Sequence, residues 1–206
     1  MGYFVINGGN RLEGEVTISG AKNAALAIIP ATILSGESCV IENLPAIQDV
    51  RILAEIFKMI GAKTDLTKGG AMCVDPSGIN DFSVTFEMVS SLRASYYLLG
   101  ALLGRYGHAE VALPGGCSIG QRPIDQHIKG LRALGANVVI ENGIVKADAV
   151  RLKGAEIYMD VSSVGATINI MLAASRAEGR TIIVNAAKEP YVVDVANFLN
   201  MMGASV

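Results

Sequence analysis

The tetrapeptide Met59-Ile60-Gly61-Ala62 returns twice further along the chain, as Ala133-Leu134-Gly135-Ala136 and as Met201-Met202-Gly203-Ala204. A spacing of about 70 residues indicates repeated structural units. Each copy follows three markers in the same order: a serine before an apolar helix, a glycine that closes it, and a proline that opens the next helix. The markers are Ser19, Ser91 and Ser163; Gly36, Gly107 and Gly179; and Pro45, Pro123 and Pro190. We therefore predict three similar units packed around a shared centre.

Each unit reads helix, strand, helix, strand, with a trailing strand or hairpin, which defines an α/β fold. In the first unit Ser19 is a suitable N-cap and Gly36 a suitable residue to follow the helix. The expected elements of that unit are helices at residues 22–34 and 45–60 and strands at residues 39–42, 63–67 and 71–75. The trailing strands of the second unit are expected at residues 137–146.

The two ends of the chain do not fit this scheme. Residues 3–6 and 11–18 read as strands joined by the turn Asn7-Gly8-Gly9-Asn10, but no partner strands are evident. The third unit stops at Val206, where the first two units continue into strands. We therefore expect a part of a longer protein. Residues 1–20 would be opening strands of a mostly missing second domain, and residues 21–206 would be a first domain truncated in its third repeat.

A glycine-rich insertion distinguishes the second unit. Its stretch from glycine to proline is the longest of the three and contains Leu113-Pro114-Gly115-Gly116-Cys117-Ser118-Ile119-Gly120-Gln121-Arg122-Pro123. Insertions on one face of a repeat architecture often form the binding face, and glycines let the backbone approach a ligand. Arginine suits phosphate or carboxylate and can favour the thiolate of a nearby cysteine. We predict that Cys117 is a nucleophile or acid beside an anion receptor; the alternative is a surface loop with an incidental cysteine.

The first helices of the units also correspond at their N-termini. Lys22 in the first unit matches Arg93 in the second and Gly165 in the third. Helix N-termini attract anions and disfavour cations in the first turn. The matched pair of cations therefore indicates a ligand that supplies negative charge, and the alternative is a pair of solvated first-turn cations.

Composition excludes several classes of function. The chain is 51% hydrophobic and 17% charged with a net charge of −2, which favours a globular protein and argues against a nucleic-acid partner. Its apolar runs are too short to span a bilayer, so no membrane partner is expected. Without a secretory leader, three cysteines indicate reduced thiols in the cytoplasm.

The sequence also argues against a bound metal or cofactor. Cys39 and Cys73 lie in strand patterns and are expected to be small buried residues. The cysteines are far apart and the chain has only two histidines, so a metal site is not expected. His127 is expected to be a helix residue that packs locally. The glycine motifs of Rossmann and Walker sites are absent from the sequence, so no cofactor is predicted.

From Tyr3 to Val206 the chain resembles the UDP-N-acetylglucosamine 1-carboxyvinyltransferase family, the enolpyruvyl transferases of bacterial peptidoglycan synthesis. The matching stretches are Lys22-Asn23, Pro114-Gly115-Gly116-Cys117-Ser118-Ile119-Gly120, Arg122-Pro123-Ile124-Asp125, Ser163-Val164-Gly165-Ala166-Thr167 and Asn185-Ala186-Ala187-Lys188-Glu189-Pro190. The resemblance implies an inside-out α/β barrel with three βαβαββ-like repeats per domain. It also implies a cytoplasmic enzyme and a target of fosfomycin.

The reaction implied by the resemblance joins phosphoenolpyruvate to the 3-hydroxyl of UDP-N-acetylglucosamine with loss of phosphate. Cys117 would donate the proton and could add covalently to phosphoenolpyruvate, which Lys22 and Asn23 would hold. The residues implied in the UDP-sugar site are Arg93, Arg122, Pro123, Ile124, Asp125, Gln126, Ser163, Val164 and Gly165. The family's general base and further arginines would lie in the missing second half, so this chain alone is predicted to be inactive.

Two other functions remain open at this point. The first is the shikimate-pathway enolpyruvyl transferase, which shares the fold and phosphoenolpyruvate but has no cysteine in the equivalent loop. The second is a non-catalytic half-protein that binds a UDP sugar.

Overall fold

A computed structural model describes residues 3–89, 92, 95–113 and 124–206. Helices and strands alternate along it as the repeats predict. The helices are α1 (Lys22–Ala31), α2 (Gln48–Met59), α3 (Phe86–Val89), α4 (Tyr96–Tyr106), α5 (Asp125–Ala133), α6 (Val164–Ala174) and α7 (Pro190–Met201). The strands are β1 (Cys39–Ile41), β2 (Lys63–Leu66), β3 (Met72–Asp75), β4 (Ser83–Val84), β5 (His108–Ala112), β6 (Asn137–Glu141), β7 (Ile144–Asp148), β8 (Glu156–Tyr158) and β9 (Ile182–Val184).

Each unit contributes one apolar helix to a common core, which confirms the predicted α/β architecture. These helices are α1, α4 and α6; α4 packs against both of the others. Residues 166–170 of α6 and residues 98–103 of α4 are all buried. A helix that is apolar nearly all round belongs in the interior. The more amphipathic helices α2, α7 and α5 pack outside, against α1 and α6.

Each unit also has its own small sheet. The first has the order β1-β3-β2 and is antiparallel. The second has the order β4-β5-β7-β6, in which β4 runs parallel to β5 and the other pairs are antiparallel. In the third, β8 pairs in parallel with β9. The strand that precedes an inner helix therefore lies beside the strand that follows it in both the second and third units.

The glycines that mark the repeat adopt the same backbone conformation in every unit. Gly36, Gly107 and Gly179 have φ of 72°, 73° and 87°. The tetrapeptide glycines, at positions 61, 135 and 203, have φ of 104°, 92° and 96°. Side chains other than glycine rarely adopt this left-handed region, so glycine is favoured in each of these turns, which follow the helices of the three units. The predicted repeat is confirmed at the level of the backbone.

Close packing at the centre depends on glycines within helices. A Cβ on Gly100 of α4 would lie 2.2 Å from the backbone oxygen of Asn169 in α6. A Cβ on Gly130 of α5 would lie 2.1 Å from Cδ1 of Ile170, also in α6. A larger residue at Gly100 would meet the backbone of α6, whereas one at Gly130 would first displace the Ile170 side chain, so α6 packs closely against both neighbours.

Three local predictions are wrong. Residues 3–20 form no strands; their apolar side chains are exposed, Phe4 at 97%, because the described chain offers them no neighbouring strand. Ser19 does not cap α1, since the N-cap is Ala21 and its side chain makes no capping bond. The second helix begins at Gln48, a short turn after Pro45, where Ile47 N–H donates to the Pro45 carbonyl.

Candidate functional site

The part of the chain that carries most of the predicted chemistry lies outside the described residues. This applies to Cys117, Arg93, Arg122 and Pro123. The described chain stops at Leu113, whose N–H donates to the Gly143 carbonyl at 2.7 Å, and resumes at Ile124. The roles predicted for the four residues stay predictions.

Lys22 and Asn23 open α1, as the sequence predicts. The Lys22 ammonium lies 2.5 Å from Oδ2 of Asp49, which stands in the first turn of α2. The first-turn cation is thus balanced by a carboxylate of the protein itself, a partner that sequence reasoning missed. The Lys22 side chain is still 54% exposed, so the ammonium stays open to an anionic ligand.

The start of α5 is tied to the segment after β8 by a buried amide. The Gln126 side chain donates to Oδ2 of Asp160 at 3.0 Å and to Oδ2 of Asp125 at 3.1 Å, and it accepts the Asp160 N–H at 3.0 Å. Lys129 approaches Oδ1 of Asp160 at 2.7 Å. Hydrogen bonds from Lys129 and then Gln126 lower the pKa of the Asp160 carboxyl. Because these hydrogen bonds occupy the side-chain amide of Gln126, this residue can contact a ligand through its backbone.

The start of α6 is built by Ser163. The Ser163 hydroxyl accepts the Ala166 N–H at 3.4 Å from an extended N-cap conformation, which confirms the predicted helix start. Val164 and Gly165 form the first turn and are half-buried. The first N–H groups of a helix have no partner within it, so those of Val164 and Gly165 can serve an acceptor oxygen.

His127 lies between the starts of α5 and α6 and is 6% exposed. Its Nδ1 lies 3.0 Å from Nδ2 of Asn169, and its ring packs against Tyr96 with centroids 5.6 Å apart. A Cβ on Gly165 would lie 3.2 Å from both Cε1 and Nε2 of the ring. Burial lowers the pKa of His127 to about 4, against a smaller opposing effect of Asp125. The predicted local packing is confirmed, and the imidazole is neutral near pH 7.

The structure thus brings together two of the predicted groups. Asp125 and Gln126 meet the Ser163–Gly165 turn through Asp160 and His127. No hydrogen bond or ion pair that the structure describes joins Lys22 or Asn23 to this group. Sequence reasoning assigned no role to Asp160, Lys129 or Asn169. Only Asn169 carried a signal, as a polar residue inside an apolar helix.

The two described cysteines differ in how far they are buried. Cys73 is exposed, so its predicted burial is wrong: its side chain lies on the outer face of the sheet, beside Val40 of β1. Cys39 is half-buried, with Sγ 3.4 Å from Oγ of Ser35.

Within the described ranges, no three His, Cys, Asp or Glu side chains form a group that could hold a metal ion. Nor does this part of the chain contain a helix long and apolar enough to cross a membrane.

Two solved enolpyruvyl transferase structures share this fold. The enolpyruvyl transferase NikO from Streptomyces tendae superposes with a TM-score of 0.83 at 26% identity, over 96% of this chain and 46% of that one. EPSP synthase from Acinetobacter baumannii gives a TM-score of 0.67 at 21% identity, over 87% of this chain and 42% of that one. The predicted enolpyruvyl transferase fold is confirmed.

Sequence comparison narrows this class. Residues 6–206 match the family model described as EPSP synthase (3-phosphoshikimate 1-carboxyvinyltransferase), and the chain belongs to that family. It is 56% identical to UDP-N-acetylglucosamine 1-carboxyvinyltransferase 3 of Caldanaerobacter subterraneus, over 100% of this chain and 49% of the relative. It is 55% identical to UDP-N-acetylglucosamine 1-carboxyvinyltransferase 2 of Bacillus subtilis, over 98% of this chain and 47% of the relative. The chain spans about half the length of the curated relatives it matches, and the predicted resemblance is confirmed.

Proposed function

We propose that the protein to which this chain belongs transfers the enolpyruvyl group of phosphoenolpyruvate to the 3-hydroxyl of UDP-N-acetylglucosamine and releases phosphate. The observation that carries this proposal is the 56% identity, over the whole chain, to a relative named for that reaction. The shikimate-pathway reaction, for which the matching family model is named, is less well supported. The EPSP synthase structure shares only 21% identity with this chain and indicates the fold alone. The reaction would be the committed step of peptidoglycan synthesis in the cytoplasm, and its enzyme a target of fosfomycin.

The residues divide into two groups in this proposal. Lys22 and Asn23 would hold phosphoenolpyruvate at the start of α1, where the half-exposed ammonium can reach an anion. Cys117 would donate the proton to C3 of phosphoenolpyruvate, since a thiol pKa can be set near neutrality. Arg93 and Arg122, which would line the UDP-sugar site, would also stabilise charge that develops on the phosphate and carboxylate.

The UDP sugar would lie where α5 and α6 begin. The free first-turn N–H groups after Ser163 and the backbone of Ile124, Asp125 and Gln126 would offer donors and acceptors there. Pro123 is assigned to the same site by the sequence motif alone. The buried links from Gln126 to Asp160 and from His127 to Asn169 hold the two helix starts in fixed relation. A preorganised pair of helix starts suits a ligand with several acceptor oxygens.

We also propose that residues 1–20 belong to a second domain and that residues 21–206 form most of the first. The side chains of Tyr3, Phe4 and Ile6 are exposed, which supports this division. Exposed apolar surface of this kind is unfavourable in water unless another part of the protein covers it. On this proposal the catalytic machinery is incomplete in the described chain, which would be inactive by itself.

The test is phosphate release from phosphoenolpyruvate plus UDP-N-acetylglucosamine. It is measured with this chain and with the same protein extended to the length of its relatives. We expect release from the extended form alone, lost in Cys117→Ala and kept in Cys73→Ala, the control at an exposed cysteine. Release only with shikimate 3-phosphate would transfer the assignment to the rival reaction. UDP-N-acetylglucosamine binding without release by the extended form would favour the non-catalytic half-protein.

A further inference from the structure

A buried hydroxyl at the start of α4 has no hydrogen-bond partner among the described residues. Ser95 is 0% exposed, and its Oγ is one of two buried side-chain polar atoms without a hydrogen bond in the part of the chain that the structure describes. It does not cap α4 either, since its backbone is already helical and its side chain makes no capping bond. Burying an unpaired hydroxyl costs free energy, so this one calls for a partner.

The third unit has the same hydroxyl, and there it is hydrogen-bonded. By the alignment of the inner helix starts, Thr167 in α6 corresponds to Ser95 in α4. Thr167 is 1% exposed, and its Oγ1 accepts the Ala187 N–H at 3.0 Å. Ala187 lies between β9 and α7, three residues before Pro190, which opens α7. In this unit the hydroxyl of the inner helix holds the segment that leads into the outer helix.

The corresponding segment of the second unit is the one that carries Cys117. Counting back three residues from Pro123 gives Gly120 as the equivalent of Ala187. The same distance before the tetrapeptide glycine of each unit gives Ile119 instead. Both residues have a backbone N–H, which donates whatever the side chain is. They lie outside the described residues, so the repeat alone identifies the donor.

The first unit provides the contrast. Its equivalent residue is Ala24, which is buried but has no hydroxyl. Its stretch from glycine to proline, residues 36–45, is the shortest of the three, whereas that of the second unit is the longest. A hydroxyl at this position of the inner helix therefore accompanies a longer connection, which has more freedom to lose and more need of an anchor.

We propose that Ser95 is a positioning residue whose hydroxyl accepts the backbone N–H of Ile119 or Gly120 and anchors the segment that carries Cys117. The contact holds the chain two or three residues after the thiol and so limits where the thiol can lie. The hydrogen bond itself does not depend on the proposed function. Its effect on turnover does rest on that function, because Cys117 is there the proton donor.

Amide hydrogen exchange in the full-length protein, read residue by residue by mass spectrometry with fragmentation, tests the contact directly. In Ser95→Ala the amide of Ile119 or Gly120 should exchange about tenfold faster than in the unaltered protein, as expected for the loss of one hydrogen bond. Ser95→Thr, which copies Thr167, should keep the slow exchange. Thr167→Ala is the matched control and should release the Ala187 amide alone.

Two results of the exchange measurement would overturn the proposal. The first is equal exchange at both amides in Ser95→Ala and the unaltered protein, while Thr167→Ala releases Ala187. The second is an unaltered protein in which neither the Ile119 nor the Gly120 amide is protected. This second result needs no substitution, so the question is decided even if Ser95→Ala does not fold.

Turnover by the full-length protein tests the consequence for catalysis. Ser95→Ala should lower kcat about tenfold, because a displaced proton donor transfers its proton more slowly, and should leave the KM for UDP-N-acetylglucosamine within about twofold. Ser95→Thr should restore kcat. A residue that only packs would tolerate the smaller alanine better than the bulkier threonine, so the expected order separates anchoring from packing.

The outcomes also separate this inference from the proposed function. If the unaltered protein releases no phosphate, the proposed function fails, and the exchange measurement still decides whether Ser95 is an anchor. If the unaltered protein turns over and Ser95→Ala matches it in both kcat and exchange, only the role of Ser95 is refuted. Faster exchange with an unchanged kcat would support the anchor and refute its effect on turnover.

Discussion

Replacing Gly100 by alanine should destabilise the chain although alanine is the better helix former. In a helix interior the change is worth about 1 kcal/mol in favour of folding. At Gly100 the added methyl group would lie 2.2 Å from both the backbone oxygen and Oδ1 of Asn169. Either α4 and α6 move apart by about 1 Å, which costs about 1–3 kcal/mol as overpacking, or Asn169 turns away and leaves buried polar groups unpaired. After the gain of about 1 kcal/mol from helix propensity, we expect a net loss of about 1–2 kcal/mol.

Gly104, one turn later in α4, provides the matched control. A Cβ there would meet its nearest atoms, the Cα of Ala173 and Cδ2 of Leu34, at 3.2 Å. The flexible end of Leu34 can give by a few tenths of an ångström, so Gly104→Ala should stay within about 1 kcal/mol of the original chain. Urea unfolding followed by circular dichroism would measure both variants. Equal stability of Gly100→Ala and Gly104→Ala would refute the close contact of α4 with Asn169.

Three further predictions concern the site. Lowering the pH from about 6.5 to about 4 should reduce the free energy of unfolding by about 3 kcal/mol through His127. In this range the histidine is protonated in the unfolded chain but stays neutral in the folded chain, where its pKa is about 4. That stability is fully present above pH 6.5, and unfolding curves of His127→Phe should lack this part of the pH dependence. In Gly165→Ala the added methyl group would press on the His127 ring. This variant should bind UDP-N-acetylglucosamine several-fold more weakly in calorimetry, while its free energy of unfolding should change by less than about 1 kcal/mol. Asp49→Asn should change that free energy by less than about 1 kcal/mol, because the ion pair with Lys22 is partly exposed, yet it should alter the KM for phosphoenolpyruvate in the full-length protein.

The fold could be predicted from the sequence because the residues that end its helices act locally. A glycine that must adopt a left-handed conformation, such as Gly61 or Gly135, marks a helix end whatever lies around it. The opening strands failed for the opposite reason. Their alternation of apolar residues satisfies the local pattern, but a strand exists only with a neighbour, and the described chain provides none for residues 3–20.

The site was predictable only where it depends on motifs. The start of α6 at Ser163 follows from a capping residue and its spacing, which a sequence displays directly. The buried chain from Gly100 to His127 does not follow in this way. Its two hydrogen bonds join residues 69 and 42 positions apart, and nothing local distinguishes a histidine that accepts from Asn169 from one that simply packs.

The repeats also explain why the third unit lacks a cation where the others have one. The sequence repeats align Lys22 with Arg93 and Gly165, and the structure describes Lys22 at the start of α1 and Gly165 in the first turn of α6. A Cβ at Gly165 would lie 3.2 Å from the His127 ring, so an added side chain would press on that buried ring. The third unit thus has a neutral helix start beside a buried imidazole, where the first unit has a half-exposed ammonium. A charge serves an anionic group, whereas a fixed N–H selects an acceptor by its position. On the proposed function, the repeated scaffold would supply a cation for phosphoenolpyruvate at the start of α1 and free backbone N–H groups for the sugar nucleotide at the start of α6.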